Sequence, residues 1–158
     1  KAMDDALSTF MSRWRVKGPP YATSRDLIAE LRRVTPAEHQ AWIDDLFENI
    51  TFFDSRAVKA AARKRPDGKF DVDLVVTAKK SHADTAGNET EVPLDATIDI
   101  GVQDAKGDYL LLEKRRIKSG ENRFTVTVAG EPAKAGIDPL DKLIDRDTGD
   151  NTVEVTMP

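Results

Sequence analysis

The chain has 158 residues, 39% of them apolar and 33% charged, enough for one ordinary domain or one domain and part of another. It contains no cysteine, which excludes a disulfide scaffold, a thiolate nucleophile and any Cys-ligated zinc or iron–sulfur site. Its formal net charge of −4 divides into 7 basic and 9 acidic side chains over residues 1–54, and 17 and 19 over residues 55–158, so neither part has the domain-wide basic field that attracts nucleic acid or anionic lipid.

Over the first 54 residues, apolar side chains recur three and four apart. Met3, Leu7, Phe10, Met11 and Trp14 fall on one stripe. That spacing predicts an amphipathic helix over 2–15, stopped by Gly18-Pro19-Pro20. Ser24 is placed to cap a second helix whose inner side is Leu27, Ile28 and Leu31. A third start signal follows: Thr35 as cap, Pro36 at the first helical position and Glu38 closing a capping box. The side formed by His39, Trp42, Ile43, Leu46, Phe47 and Ile50 carries this helix to residue 49 or 50. Trp14, Trp42, Phe47 and Phe52 are large side chains for so small a cluster. Part of that surface is expected to pack on the β part or on a neighbour outside the chain.

Near Asp54 the apolar spacing changes to every second position, as in Phe70-x-Val72-x-Leu74-x-Val76 and Phe124-x-Val126-x-Val128. Strands are predicted near 57–65, 69–79, 96–103, 109–117, 122–129 and 152–156, with a seventh around 90–92 or around 131–135. Pro66-Asp67-Gly68 is a strong tight-turn signal, and Ala105-Lys106-Gly107 and Ser119-Gly120-Glu121 are weaker ones. Residues 80–93 and 131–151 read as irregular, the latter with a Gly136-Ile137-Asp138-Pro139 turn. The fold class is therefore α+β: a three-helix segment over 1–54, then an antiparallel immunoglobulin-like β-sandwich over 55–158. No apolar run approaches the ~20 residues needed to cross a bilayer, so direct membrane insertion by this segment is not expected. The opening helix lacks the apolar h-region of a signal peptide. Starting at Lys1 and entering a helix almost at once, the chain reads as a fragment of a longer protein.

Neither half carries a catalytic kit, and no catalytic, cofactor-binding or metal residue is assigned. His39 and His82 are the only histidines. His39, on the apolar side of its helix without a second ligand at i±4, reads as a partly buried structural residue. His82, near Asp84 and Glu89, reads as an exposed loop residue, since a catalytic zinc needs three well-placed protein ligands. Asp138, Asp141, Asp145, Asp147 and Asp150 invite a calcium reading. They lack the alternate spacing and terminal glutamate of an EF-hand loop, so turn-forming and capping roles explain them better. Arg63-Lys64-Arg65 and Lys114-Arg115-Arg116 split between opposite strand faces and read as solvated strand edges, with no nucleic-acid partner implied. No G-x-S-x-G elbow or phosphate-binding glycine loop occurs.

Two stretches, taken together, carry a resemblance. Pro19-Pro20-Tyr21-Ala22-Thr23-Ser24-Arg25-Asp26-Leu27-Ile28, followed by Asp44-Asp45-Leu46-Phe47-Glu48-Asn49-Ile50-Thr51, resembles the last helices of a thermolysin-like metallopeptidase domain. The tail from Gly136 to Arg146, closing with Asp150-Asn151, resembles the extreme C-terminus of bacterial membrane proteins that fuse an ABC-transporter-permease-like region to an aminopeptidase N-type zinc peptidase. The resemblance implies a parent with zinc on a His-Glu-x-x-His helix plus a downstream glutamate. None of those positions falls in this chain, so the cofactor would lie elsewhere in the parent. The implied role is a non-catalytic C-terminal region that braces the catalytic domain of the same protein, its partner. Trp14, Trp42, Phe47, Phe52 and Phe53 would supply much of the attachment, at about 1.5–3 kcal/mol per fully buried large side chain. The rival reading is an independent immunoglobulin- or fibronectin-like module that binds another protein through the 80–93 loop.

Overall fold

The computed structural model describes residues 1–157 of the chain. Three helices come first: α1 (Ala2–Trp14), α2 (Ser24–Val34) and, after a 3-10 turn at Ala37–His39, α3 (Gln40–Phe47). Eight strands follow: β1 (Ile50–Lys64), β2 (Phe70–Ala83), β3 (Glu89–Val92), β4 (Asp95–Gln103), β5 (Tyr109–Lys118), β6 (Gly120–Val128), β7 (Lys134–Ile137) and β8 (Thr152–Thr156). The chain is α+β. It divides into two compact units, Lys1–Ile50 and Thr51–Pro158. β1 takes in Ile50–Asp54, which apolar spacing assigns to the helical segment. That early stretch alternates through Thr51, Phe53, Ser55 and Ala57, all buried, and three of these four are side chains that apolar spacing does not register.

In the helical unit α1 packs on α2 and α2 on α3. The shared core is small: Ala6, Leu31 and Ile43, with Leu27, Ile28 and Val34 packed around them. Thr23, not Ser24, caps α2. Its amide and its hydroxyl each donate to Asp26 Oδ2 at 2.8 Å, closing a capping box one residue earlier than expected. The box expected at Thr35 does not form. Thr35 Oγ1 instead donates to Leu31 O at 2.7 Å, finishing α2. With that hydroxyl taken, residues 37–39 wind as a 3-10 turn and α3 starts only at Gln40. The Gln40 side chain joins the pieces, its Nε2 donating to Arg32 O and Thr35 O.

In the β unit the sheet runs β3-β2-β1-β8-β7-β4-β5, with β6 also paired to β2. Along β2, residues 70–78 pair with β6 and residues 80–83 with β3, so two strands share one edge. The pairs β2–β3, β2–β6, β4–β5, β4–β7 and β7–β8 are antiparallel. The β1–β8 pair is parallel, with Ala60 opposite Val155. β2 also packs against β5 and β7, so the sheet curls over on itself. Between the facing surfaces lie Val72, Leu74 and Val76 of β2, Ile98, Ile100 and Val102 of β4, and Ile117, Val126, Val128 and Ile137.

Several connections differ from their sequence signals. The Pro66-Asp67-Gly68 turn forms as expected, with the Gly68 amide donating to Arg65 O at 3.0 Å and Gly68 at φ 85°. Ser119-Gly120 does not close a hairpin: β5 stays beside β4 while β6 crosses to β2. A glycine at φ 87° lets the chain change direction there, and sequence cannot distinguish that from a reversal. Both candidate seventh strands exist, as β3 and β7, which organises much of what read as irregular.

Gly136 is not a turn residue. It lies inside β7, between β4 and β8, where a Cβ would sit 2.0 Å from Asn151 O and 2.8 Å from Thr152 Cα.

Candidate functional site

The densest polar construction in the β unit is the loop after β7, which folds over the outer face of β4. Asp138 starts it at φ 42°, a left-handed conformation that Asp tolerates better than most residues. Its carboxylate is buried and accepts the Lys142 amide at 3.1 Å and the Leu143 amide at 2.8 Å. Its own amide donates to Asp99 O at 2.7 Å. Burial pushes the Asp138 carboxyl above its ordinary range, while those two amides pull against the shift. Lys142 Nζ closes the loop on β4 by donating to Asp99 Oδ2 at 2.6 Å, and Asp99 is only 8% exposed. Tyr109 adds a hydroxyl bond to Pro139 O at 3.0 Å. The second half of β4 is thereby buried on both faces, although its sequence reads as one-sided.

The remaining tail aspartates are engaged one at a time. Asp145 Oδ2 accepts the Ser55 amide at 2.7 Å and its Oδ1 accepts the Asp147 amide at 3.0 Å. Arg56 Nε donates to Asp150 Oδ2 at 2.7 Å. Asp141, at φ 48°, donates its amide to Asp138 O. Together with the Phe53 amide bond to Ile144 O, these contacts cover the first half of β1, whose edge has no strand neighbour there.

A hollow of about 450 Å³ opens beside this segment, between β1, the β2–β3 hairpin and residues 145–147. Arg146 is its central group. The guanidinium stacks 4.2 Å from the Phe52 ring centre and pairs with Glu89 Oε1 at 2.6 Å. Ser81 Oγ donates to the other Glu89 oxygen at 2.9 Å. The Ser81 bond and Arg146 hold the Glu89 carboxyl below its ordinary range. A carboxylate stabilised in that way is a poor general base, so the Ser81–Glu89 contact does not make an activated nucleophile. A wider groove of about 930 Å³ lies at one end of the unit, with Leu110, Pro132 and Val155 in it and Lys106, Glu131 and Glu154 beside them. In the smaller hollow Ser81, Glu89 and Arg146 are bonded to one another, so the carboxylate that could serve as a base is already held by both partners.

The sequence candidates land apart. His39 is exposed at the end of the 3-10 turn, not partly buried on an apolar helix face, because the helix it was assigned to begins one residue later. His82 lies within β2, opposite Thr90 of β3, and is half-buried instead of exposed in a loop. Among the described residues no group of three or more His, Asp or Glu side chains comes together to hold a metal ion. Arg63 and Arg65 pair with Asp71, and Lys64 lies over the Phe70 ring. On β5, Arg115 pairs with Glu113, and Arg116 makes two bonds to Asp95 at 2.6 and 2.7 Å. Sequence reasoning missed the Asp99–Lys142 clamp and the Phe52–Arg146–Glu89 contact. Their partners lie 43 and 57 or more residues apart, and each charged side chain alone reads as solvated surface. No protein-family model matches the chain, and no curated protein does.

Proposed function

We propose that this chain is a non-catalytic accessory region of a larger, membrane-linked zinc aminopeptidase-like protein, and that it helps hold the catalytic part of that protein. The observation that carries the reading is the uncovered apolar surface of the helical unit. Met3, Leu7 and Met11 of α1, Leu46 and Phe47 of α3, and Ile50 are all exposed. A 50-residue unit with a core of three buried side chains gains little stability of its own. Large apolar side chains left exposed on α1 and at the end of α3 suit contact with a partner. The resemblance of residues 19–28, 44–51 and 136–146 identifies the occupant as the catalytic domain of the same protein. The zinc belongs to that domain, and no residue here is assigned to it.

The β unit is read as an immunoglobulin-like sandwich. Support comes from the strand order, β6-β2-β1 on one side and β8-β7-β4-β5 on the other. If β1, β2, β4, β5, β6, β7 and β8 are taken as A, B, C, C′, E, F and G, that order is compatible with an ABE and a GFCC′ layer. Deleting residues 51–158 from the intact protein tests the bracing role. The expected result is an insoluble or inactive peptidase, and a soluble, fully active one refutes the proposal.

A second reading is favoured by one observation: the β unit has its own closed core and two ligand-sized surface depressions. It would be a binding module that takes another protein on its loops. Pull-down with residues 51–158 separates the two, since only this reading requires a partner other than the parent's catalytic domain.

A further inference from the structure

We propose that the turn between α1 and α2 is a contact site for the surface of an anionic lipid bilayer. In a chain of net charge −4, residues 6–25 contain no Asp or Glu and four cations: Arg13, Arg15, Lys17 and Arg25. All four are exposed. Among them project the two most exposed large apolar side chains of the molecule's described residues, Val16 at 90% and Tyr21 at 72%. Exposed cations beside exposed apolar side chains form the combination that head-group phosphates attract and the acyl boundary then holds. Tyrosine is suited to that boundary, because one end of its ring is apolar and the other wet.

The surroundings keep the patch positive. Asp26 is the first carboxylate after it, and both its bonds to Thr23 hold it in the capping box. Glu30 lies 3.7 Å from Arg13 but bonds more closely to Arg33, at 2.8 Å. Among the described residues Arg15, Lys17 and Arg25 form no ion pair, although the Asp26 carboxylate is close enough to feel Arg13 and Lys17. The turn is also held in shape before any contact. Lys17 donates its amide to Trp14 O at 3.2 Å and carries its ammonium 4.5 Å from the Trp14 ring centre, and two prolines follow Gly18. A nucleic acid would use the same cations but would have no use for Val16, and a single tyrosine is a poor stacking platform. Lipid therefore accounts for more of the patch. The inference stands apart from the peptidase reading, since it uses the tip of the unit and not the Leu46–Phe47–Ile50 face.

The test is co-sedimentation of the full 158-residue chain with vesicles of phosphatidylcholine alone or mixed with phosphatidylserine. Binding is expected only to the mixed vesicles, and it should weaken as salt is raised. Arg15→Glu with Lys17→Glu should reduce it by at least about tenfold. Val16→Ser with Tyr21→Ser should weaken it severalfold while leaving its salt dependence in place. Because all four positions are exposed, both variants should keep the parent circular dichroism spectrum. Equal binding to the two vesicle types, or variants that bind like the parent, overturns the proposal. So does a single-stranded oligonucleotide that binds more tightly than the vesicles and is lost with the same charge reversal.

Discussion

Replacing Gly136 with alanine should be among the most damaging single-methyl changes in this protein. The new Cβ would meet two backbone positions of the neighbouring strand, Asn151 O at 2.0 Å and Thr152 Cα at 2.8 Å. Backbone at the start of β8 cannot rotate away as a side chain can, so β7 and β8 must separate by about an ångström or more. That movement loosens the Ile137 amide bond to Asn151 O, now 2.9 Å, and the Ala135–Val153 and Gly136–Thr152 pairing around it. Two such bonds at about 0.5–1.5 kcal/mol each, added to about 1–3 kcal/mol of overpacking, give a loss of about 2–6 kcal/mol. Gly130→Ala is the internal control. Its Cβ would meet Leu110 Cδ2 at 2.7 Å, the free end of a side chain that can change rotamer, so the loss should stay under about 1 kcal/mol. Urea unfolding followed by far-ultraviolet circular dichroism measures both. Trp14 and Trp42 are the only tryptophans and lie in the helical unit, so their emission follows that unit alongside. A Gly136→Ala chain within about 1 kcal/mol of the parent, or no worse than Gly130→Ala, would show that β7 does not sit as described.

Lys142→Met should cost about 1–3 kcal/mol, because it leaves Asp99 buried without its partner. Adding Asp99→Asn to that chain should recover part of the loss, as a urea double-mutant cycle would show. The two bonds from Arg116 hold the Asp95 carboxyl below its ordinary range, so its stabilising contribution is present above the unfolded value and lost as pH falls through the folded one. Arg116→Met should therefore flatten the decline of the urea midpoint below about pH 4. Asp138 has the opposite sign: its carboxyl is raised, the folded state binds that proton more tightly, and its contribution declines as pH rises through the folded value. Asp138→Asn should remove that part of the pH profile. Thr23→Ala should destabilise the helical unit by about 0.5–2 kcal/mol by opening the α2 capping box, read from tryptophan emission on heating.

Much of the element order is legible in the residues. Strands β2, β4, β5, β6 and β8 fall within a few residues of their expected places, since alternating apolar side chains on a half-buried strand state both its period and its inner face. What escaped did so for identifiable reasons. The start of β1 is buried through Thr51, Ser55 and Ala57, which hydrophobic spacing overlooks. Short β3 and β7 depend on neighbours for their hydrogen bonds, so their own four residues suggest them only as alternatives for one seventh strand. The caps of α2 and α3 turned on which of several hydroxyls reached a free amide or carbonyl first, a competition that Thr23 and Thr35 decided in three dimensions.

The sequence by itself determined the number of helices, the switch from helical to strand periodicity, and the absence of thiol chemistry, because these depend on composition and on spacing along one chain. Only the tertiary structure decided that β5 and β6 part company at Gly120, that Gly136 lies where no side chain fits, and that Lys142 anchors the tail to Asp99. Each of those is a meeting of residues far apart in the chain. Free space around an atom, and the partner of a buried charge, are set by the strand that arrives beside it.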